Sequence, residues 1–178
     1  MPQEQPLSRS NLAKNVLIVV LCLGILPLTI LAGAMVPPSR MVPFIGAILV
    51  FQPFAASVGL VLGVPPPAIL VTMFCVGMGA VTGILTLCDL FAQRWERLAV
   101  AIQNVHTITR GSVRFRKYGI LMFFPFIWVP GLGLYGCTLV AWLFKWRRVH
   151  HLAVLMAAWM IAAIIVMIAS LGISFAIS

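Results

Sequence analysis

An all-α, polytopic integral membrane protein is what this sequence predicts, built as inverted repeats that each pair a Pro/Gly-broken re-entrant hairpin with a transmembrane helix. Three observations predict it. Of 178 residues, 62% are hydrophobic and only 8% are charged, where a soluble domain carries about 25% charged residues. Five long apolar runs are spread along the chain. Two of those runs resemble each other and are the ones most hostile to an unbroken helix.

The runs are Val16–Val36, Met41–Leu62, Pro67–Thr86, Tyr118–Phe144 and Leu152–Ile177. Crossing a hydrocarbon core of about 30 Å takes roughly 20 apolar residues in a helix, so each has the length of a span. The first follows a basic stretch, Arg9 to Lys14, as a signal peptide would. It exceeds an ordinary signal core in length and four more apolar runs follow, so it reads as an uncleaved helix. The expected organisation is a short cytoplasmic tail over 1–15 and a single membrane domain over 16–178. Within that domain we expect a helix at 16–36, a re-entrant or spanning segment at 41–64 and a helix at 66–91. A basic interfacial linker at 92–117, a second re-entrant or spanning segment at 118–145 and a helix at 149–177 complete it.

Shifting the chain by 72 positions lays Ile48–Leu62 over Ile120–Leu134 with eight identities in fifteen positions. Phe51-Gln52-Pro53-Phe54 falls on Phe123-Phe124-Pro125-Phe126, and Gly59-Leu60 on Gly131-Leu132. The first copy also carries Pro43, Gly63 and the triplet Pro65-Pro66-Pro67, the second Pro130, Gly133 and Gly136. Proline removes a backbone donor and collides with the turn before it, and glycine weakens what is left. Polar backbone freed in this way has to be buried in protein or line a wet cavity. Paired interruptions in corresponding halves mark the sites of transporters built from broken helices.

Charge placement bears on the same architecture. With the N-terminus cytoplasmic and both repeated segments returning to the side they enter from, eleven Lys and Arg lie inside and one, Arg40, outside. Five full spans would divide them seven to five. The positive-inside rule therefore favours two hairpins entering from opposite faces. The net charge of +9 is then a matter of anionic lipid at the cytoplasmic face, not of nucleic acid.

Few residues carry chemistry. Cys22, Cys75, Cys88 and Cys137 lie singly in apolar runs and read as small hydrophobes. His106, His150 and His151 have no acidic or cysteine partner at ligand spacing, so neither a metal nor another cofactor is expected. Three acidic residues in the whole chain leave little for general acid–base work, and no nucleophile or phosphate-binding motif occurs; an enzyme is not expected. Asp89, late in the third run, is expected to pair at the interface with Arg94 or a cation of the following linker, with a proton or ion-pair site as the rival reading. Gln52, beside Pro53, is placed to satisfy freed backbone or to touch a solute. Pro125, Pro130, Gly131 and Gly133 would shape the second hairpin and its tip, with the hydroxyls of Tyr135 and Thr138 facing a substrate. Thr72, Thr82 and Thr86 are expected to bond back to helix carbonyls. Gln93–Thr109, with Trp95 among basic residues, suits an interfacial helix or a partner-docking one, and Lys145–His151 a membrane-edge anchor.

The stretch Lys117-Tyr118-Gly119-Ile120, then Pro125, Val129-Pro130-Gly131-Leu132-Gly133 and Leu134-Tyr135-Gly136, followed by the basic turn Lys145-Trp146-Arg147-Arg148, resembles the second half of the small multidrug export family of prokaryotic membrane proteins. The hairpin-plus-helix repeat is similar to the wider DedA/VTT group of lipid and solute transporters. Gly63-Val64-Pro65-Pro66 matches the close of the family's first half, but its acidic and basic positions fall on Phe51 and Pro53, which hold no proton and pair no ion. The resemblance implies a multi-pass protein of a prokaryotic cell membrane that exports small amphipathic solutes or lipids. Loss of the charged pair points instead to a structural or accessory subunit of a larger membrane complex. With so few helices, a second copy of the chain is an expected partner.

Overall fold

In the computed structural model the described residues are 9–94, 133–143 and 148–177. They are almost wholly helical, and no strand occurs among them. Helix α1 covers Arg9–Val20 and passes through a π-helical turn, Leu21–Ile25, into α2, Leu26–Gly33. Next come α3, Pro38–Phe51, a 3₁₀ turn over Gln52–Phe54, and α4, Ala55–Val61. Helix α5 runs from Pro66 to Arg94, α6 covers Gly133–Leu143 and α7 Arg148–Ile177.

Four stretches among the described residues are long and apolar enough to cross a membrane: Leu12–Gly33, Pro38–Val61, Pro66–Phe91 and Leu152–Ile173. This is the profile of a membrane protein. Helix α5 is its centre, packed against α1, α2, α6 and α7. The first stretch is the least covered by protein and α5 the most.

Local chemistry explains where the helices change course. Pro27 has no N–H, and its ring presses on the carbonyl four residues back. The chain widens just before it into the π turn, where the Leu26 N–H reaches the Leu21 carbonyl; such single-turn bulges relieve an inserted strain. Helix α3 begins on Pro38, a position where a missing N–H costs nothing. Helices α2 and α4 end alike. The Val36 N–H bonds the Leu31 carbonyl and the Val64 N–H the Gly59 carbonyl, both at 3.0 Å. Each closure needs a left-handed residue just past the helix: Gly63 at φ 74° in one, but Met35 at φ 56° in the other. An L side chain pays about 1–2 kcal/mol in that region. Met35→Gly is therefore expected to stabilise the protein by about 1 kcal/mol, and Gly63→Ala to destabilise it by a similar amount. Equilibrium unfolding in mixed detergent micelles reads both, and opposite signs are the expected result.

Pro38–Val61 has the length of a span, yet its contacts fold it back on itself. Arg40 Nη1 donates to the Leu62 carbonyl at 2.9 Å, so the start of α3 lies beside the end of α4. A Cβ on Gly59 would stand 2.7 Å from the Phe44 ring and 2.9 Å from Ile69, so α3, α4 and α5 meet with no side chain between them there. At 1.5 Å per residue a straight helix would hold Arg40 and Leu62 about 33 Å apart. The contacts, not the length, describe this segment: two packed arms joined at the Gln52–Phe54 turn, which itself packs on α7.

Only the last two positions of the second repeat window, Gly133 and Leu134, are described. Beyond them the copies part. The turn after α4 spans Leu62–Pro65, whereas the positions 72 further on, Leu134–Cys137, lie inside α6. The reason is local: Pro65, Pro66 and Pro67 stop the first copy, and Cys137, Thr138 and Leu139 stand in their place in the second. Helix starts differ from the sequence expectation too. α1 begins at Arg9, before 16, because nothing between Ser10 and Asn15 breaks a helix. Of the interfacial helix expected at Gln93–Thr109 and the linker expected at 92–117, residues up to Arg94 continue α5; the rest, with residues 118–132 of the second segment, lie outside the described residues.

Candidate functional site

The corner between α3 and α4 meets Leu134 and Tyr135 of α6, and the two exchange hydrogen bonds. In a continuing helix the Leu49 carbonyl would accept the N–H of residue 53. That residue is Pro53, and at Gln52 the chain has already left the helix, with φ 53° and ψ −118°. The hydroxyl of Tyr135, on α6, donates to this Leu49 carbonyl at 2.6 Å. In return, the Leu134 N–H donates to Gln52 Oε1 at 3.0 Å. Gln52 and Pro53 are both buried.

The corner is about 18 Å along α3 from Arg40, at 1.5 Å per residue. Here the break after α3 lies inside apolar surroundings, lined by Ile48, Ala55, Leu134 and residues of α7. Three buried donors have no hydrogen-bond partner among the described residues: Gln52 Nε2, Thr72 Oγ1 and Trp159 Nε1. Thr72 thus departs from the back-bonding expected of it, while Thr86 follows it, donating to the Thr82 carbonyl at 2.8 Å.

The sequence-named residues divide as follows. Gln52, Pro53, Gly133 and Tyr135 are brought together at the corner. Thr138 stands one turn further along α6, fully buried, its hydroxyl donating to the Leu134 carbonyl at 2.7 Å. The hydroxyls of Tyr135 and Thr138 are thus engaged by backbone, where the sequence reading turned them toward a substrate. Pro125, Pro130 and Gly131 lie outside the described residues. Asp89 is at the other end of α6, where its carboxylate accepts the indole N–H of Trp142 at 2.8 Å. The partner expected from the sequence was Arg94 or a linker cation, whose side chains lie outside the described residues; the indole is a further partner that the sequence reading did not name. The signal was available: Trp142 lies within an apolar run, and a Trp N–H in such a place seeks an acceptor. Among the described residues no group of three or more His, Cys, Asp or Glu could hold a metal ion.

The hydroxyl at Tyr135 offers a test of the exchange at the corner. Tyr135→Phe leaves the Leu49 carbonyl without its donor and is expected to cost about 1–2 kcal/mol, the range for a buried polar group stripped of its partner. Detergent-micelle unfolding measures it. A cost near zero would mean the carbonyl finds another donor.

Compared with known protein families, with curated proteins and with solved structures, the chain matches none.

Proposed function

We propose that this chain is a small transporter-like protein of a prokaryotic cell membrane, exporting small amphipathic solutes or lipids, in the manner of the small multidrug export family it resembles. One observation carries the reading: the corner that breaks Pro38–Val61 exchanges hydrogen bonds with a second helix, α6, inside an apolar body. Backbone of that kind, held by protein at membrane depth, is how secondary transporters build solute sites without charged cages. In this reading Pro38–Val61 is re-entrant, and 118–145 is its counterpart from the opposite face. The N-terminus is cytoplasmic, and the hairpins rock around their shared tip to give alternating access. Anionic lipid neutralises the basic cytoplasmic face.

The rival reading, a structural or accessory subunit, draws on a specific observation. Phe51 and Pro53 occupy the family's charged positions, and the Tyr135 and Thr138 hydroxyls are spent on backbone.

Side-specific cysteine labelling tests the architecture, in a background cleared of the four native cysteines. Single cysteines at the exposed positions Ser39 and Pro65 are expected to label from outside, and those at Ser112 and His150 from inside. A split of either pair across the membrane removes that hairpin. Flux of a fluorescent amphipathic cation and of a labelled lipid, by the purified protein in liposomes, then separates transporter from subunit.

A further inference from the structure

We propose that Arg40 holds the phosphodiester of a membrane phospholipid at the open end of the α3–α4 hairpin. The site stands independently of the transporter reading, and of which face of the membrane it occupies.

From Asn15 to Cys88 the sequence has a single charged residue, Arg40. It lies in the first turn of α3, and its guanidinium is already fixed. Nη1 donates to the Leu62 carbonyl at 2.9 Å, one of the carbonyls that a helix end leaves without an internal partner. The bare Gly63 lets the group lie on this turn, since a Cβ there would stand 3.2 Å from Nη1. Much of the rotamer freedom of a long side chain is therefore spent before any ligand arrives. The side chain is exposed, so the rest of its N–H fork is open to an outside acceptor.

The chain supplies no counter-charge at this end. Asp89, the one carboxylate among the described residues, lies about 35 Å along α5 from Pro66 and accepts from Trp142. The neighbours of Arg40 show what surrounds it. Met35 at 93%, Val61 at 87% and Val42 at 70% are the most exposed large hydrophobic side chains among the described residues. All three belong to this end: Met35 to the turn before α3, Val42 to the early part of α3, and Val61 to the last position of α4. Pro37 and Pro65, in the two turns, are exposed as well. A cation among bare apolar side chains fits the boundary between acyl chains and headgroups. The anion of that boundary is the lipid phosphodiester, whose two unesterified oxygens match the parallel N–H groups of a guanidinium.

The test is thermal unfolding of the full chain in dodecyl maltoside, a detergent without phosphate, titrated with phosphatidylglycerol. Wild type is expected to gain several degrees, saturably. Diacylglycerol keeps the acyl chains without the phosphate, inorganic phosphate the reverse, and neither is expected to reproduce the gain. In Arg40→Gln the lipid needed for half the gain is expected to rise at least about tenfold, the loss of one charge-assisted bond. Lys14→Gln removes a charge at the start of the first span and is expected to respond as wild type does. If Arg40→Gln does not fold, Arg40→Lys decides: it keeps the charge, loses the planar fork, and is expected to need several-fold more lipid. No gain in wild type overturns the proposal and leaves Arg40 to a protein partner's carboxylate. An undiminished response in the deciding variant overturns it too, as does an equal gain from diacylglycerol or from inorganic phosphate. An equal loss in Lys14→Gln would make net charge the cause and overturn it likewise.

Discussion

Gly77→Val is expected to be among the most damaging single substitutions in this protein, costing about 3 kcal/mol, the upper end of the usual overpacking range. A Cβ at Gly77 would stand 2.6 Å from Trp159 Cζ3 and 3.1 Å from Cη2. Trp159 is fully buried, and a rigid indole wedged between α5 and α7 cannot swing aside as a long flexible chain would. Without a hydrophobic force between helices in lipid, close approach over small residues is what joins them. The helices must therefore separate, or the indole must leave its rotamer. Trp159→Leu in the same chain is expected to recover much of the loss, although it forfeits packing of its own. Gly46→Ala is the control: it lies on the exposed side of α3 with nothing within 4 Å of its Cβ, and is expected to stabilise by about 0.5–1 kcal/mol through helix propensity. Equal damage at Gly77 and Gly46 would mean the α5–α7 approach is not as close as the structure has it.

What could be read from the sequence follows the same division between one dimension and three. The helices at α1–α2, α5 and α7 were legible because apolar length alone announces them. The break beside Pro53 was legible because proline acts locally. The partners at that break were not, since Gln52 and Leu134 are 82 positions apart and no periodicity links a lone amide to a distant N–H. Gln52 was named for an amide able to satisfy freed backbone or touch a solute, and the N–H it meets, that of Leu134, belongs to another helix. Tyr135 and Thr138 were named for their hydroxyls, yet a hydroxyl near broken helices meets free carbonyls first. Past the repeat window the two stretches differ. Identity between Leu62 and Leu134 says nothing of the next residues, where three prolines face none and a turn faces a helix. Asp89 was read through charge alone, and its indole partner follows from which helix α5 packs beside.

The coupling between Gly59 and Phe44 decides whether α3 and α4 form two arms or one rod. Fifteen residues apart, these two would lie about 22 Å from each other along a straight helix, and substitutions at that distance add independently. Folded back, the Phe44 ring covers the face of Gly59, at 2.7 Å from where a Cβ would be. Gly59→Val is then expected to cost about 3 kcal/mol by overpacking, because Phe44 and Ile69 are both fully buried and press on it from α3 and α5. Phe44→Ala is expected to cost about 3–5 kcal/mol through the cavity it leaves. Combined, the two are expected to fall short of their sum by about 1–3 kcal/mol, because valine enters space the ring has vacated. Simple additivity in micelle unfolding would mean that residues 44 and 59 never meet, and the hairpin would go with it. Because Ile69 still presses on position 59 in the double variant, the rescue stays incomplete. Trimming Ile69 to valine as well should recover a further part of it, tying the hairpin's two arms to α5 in a single packed contact.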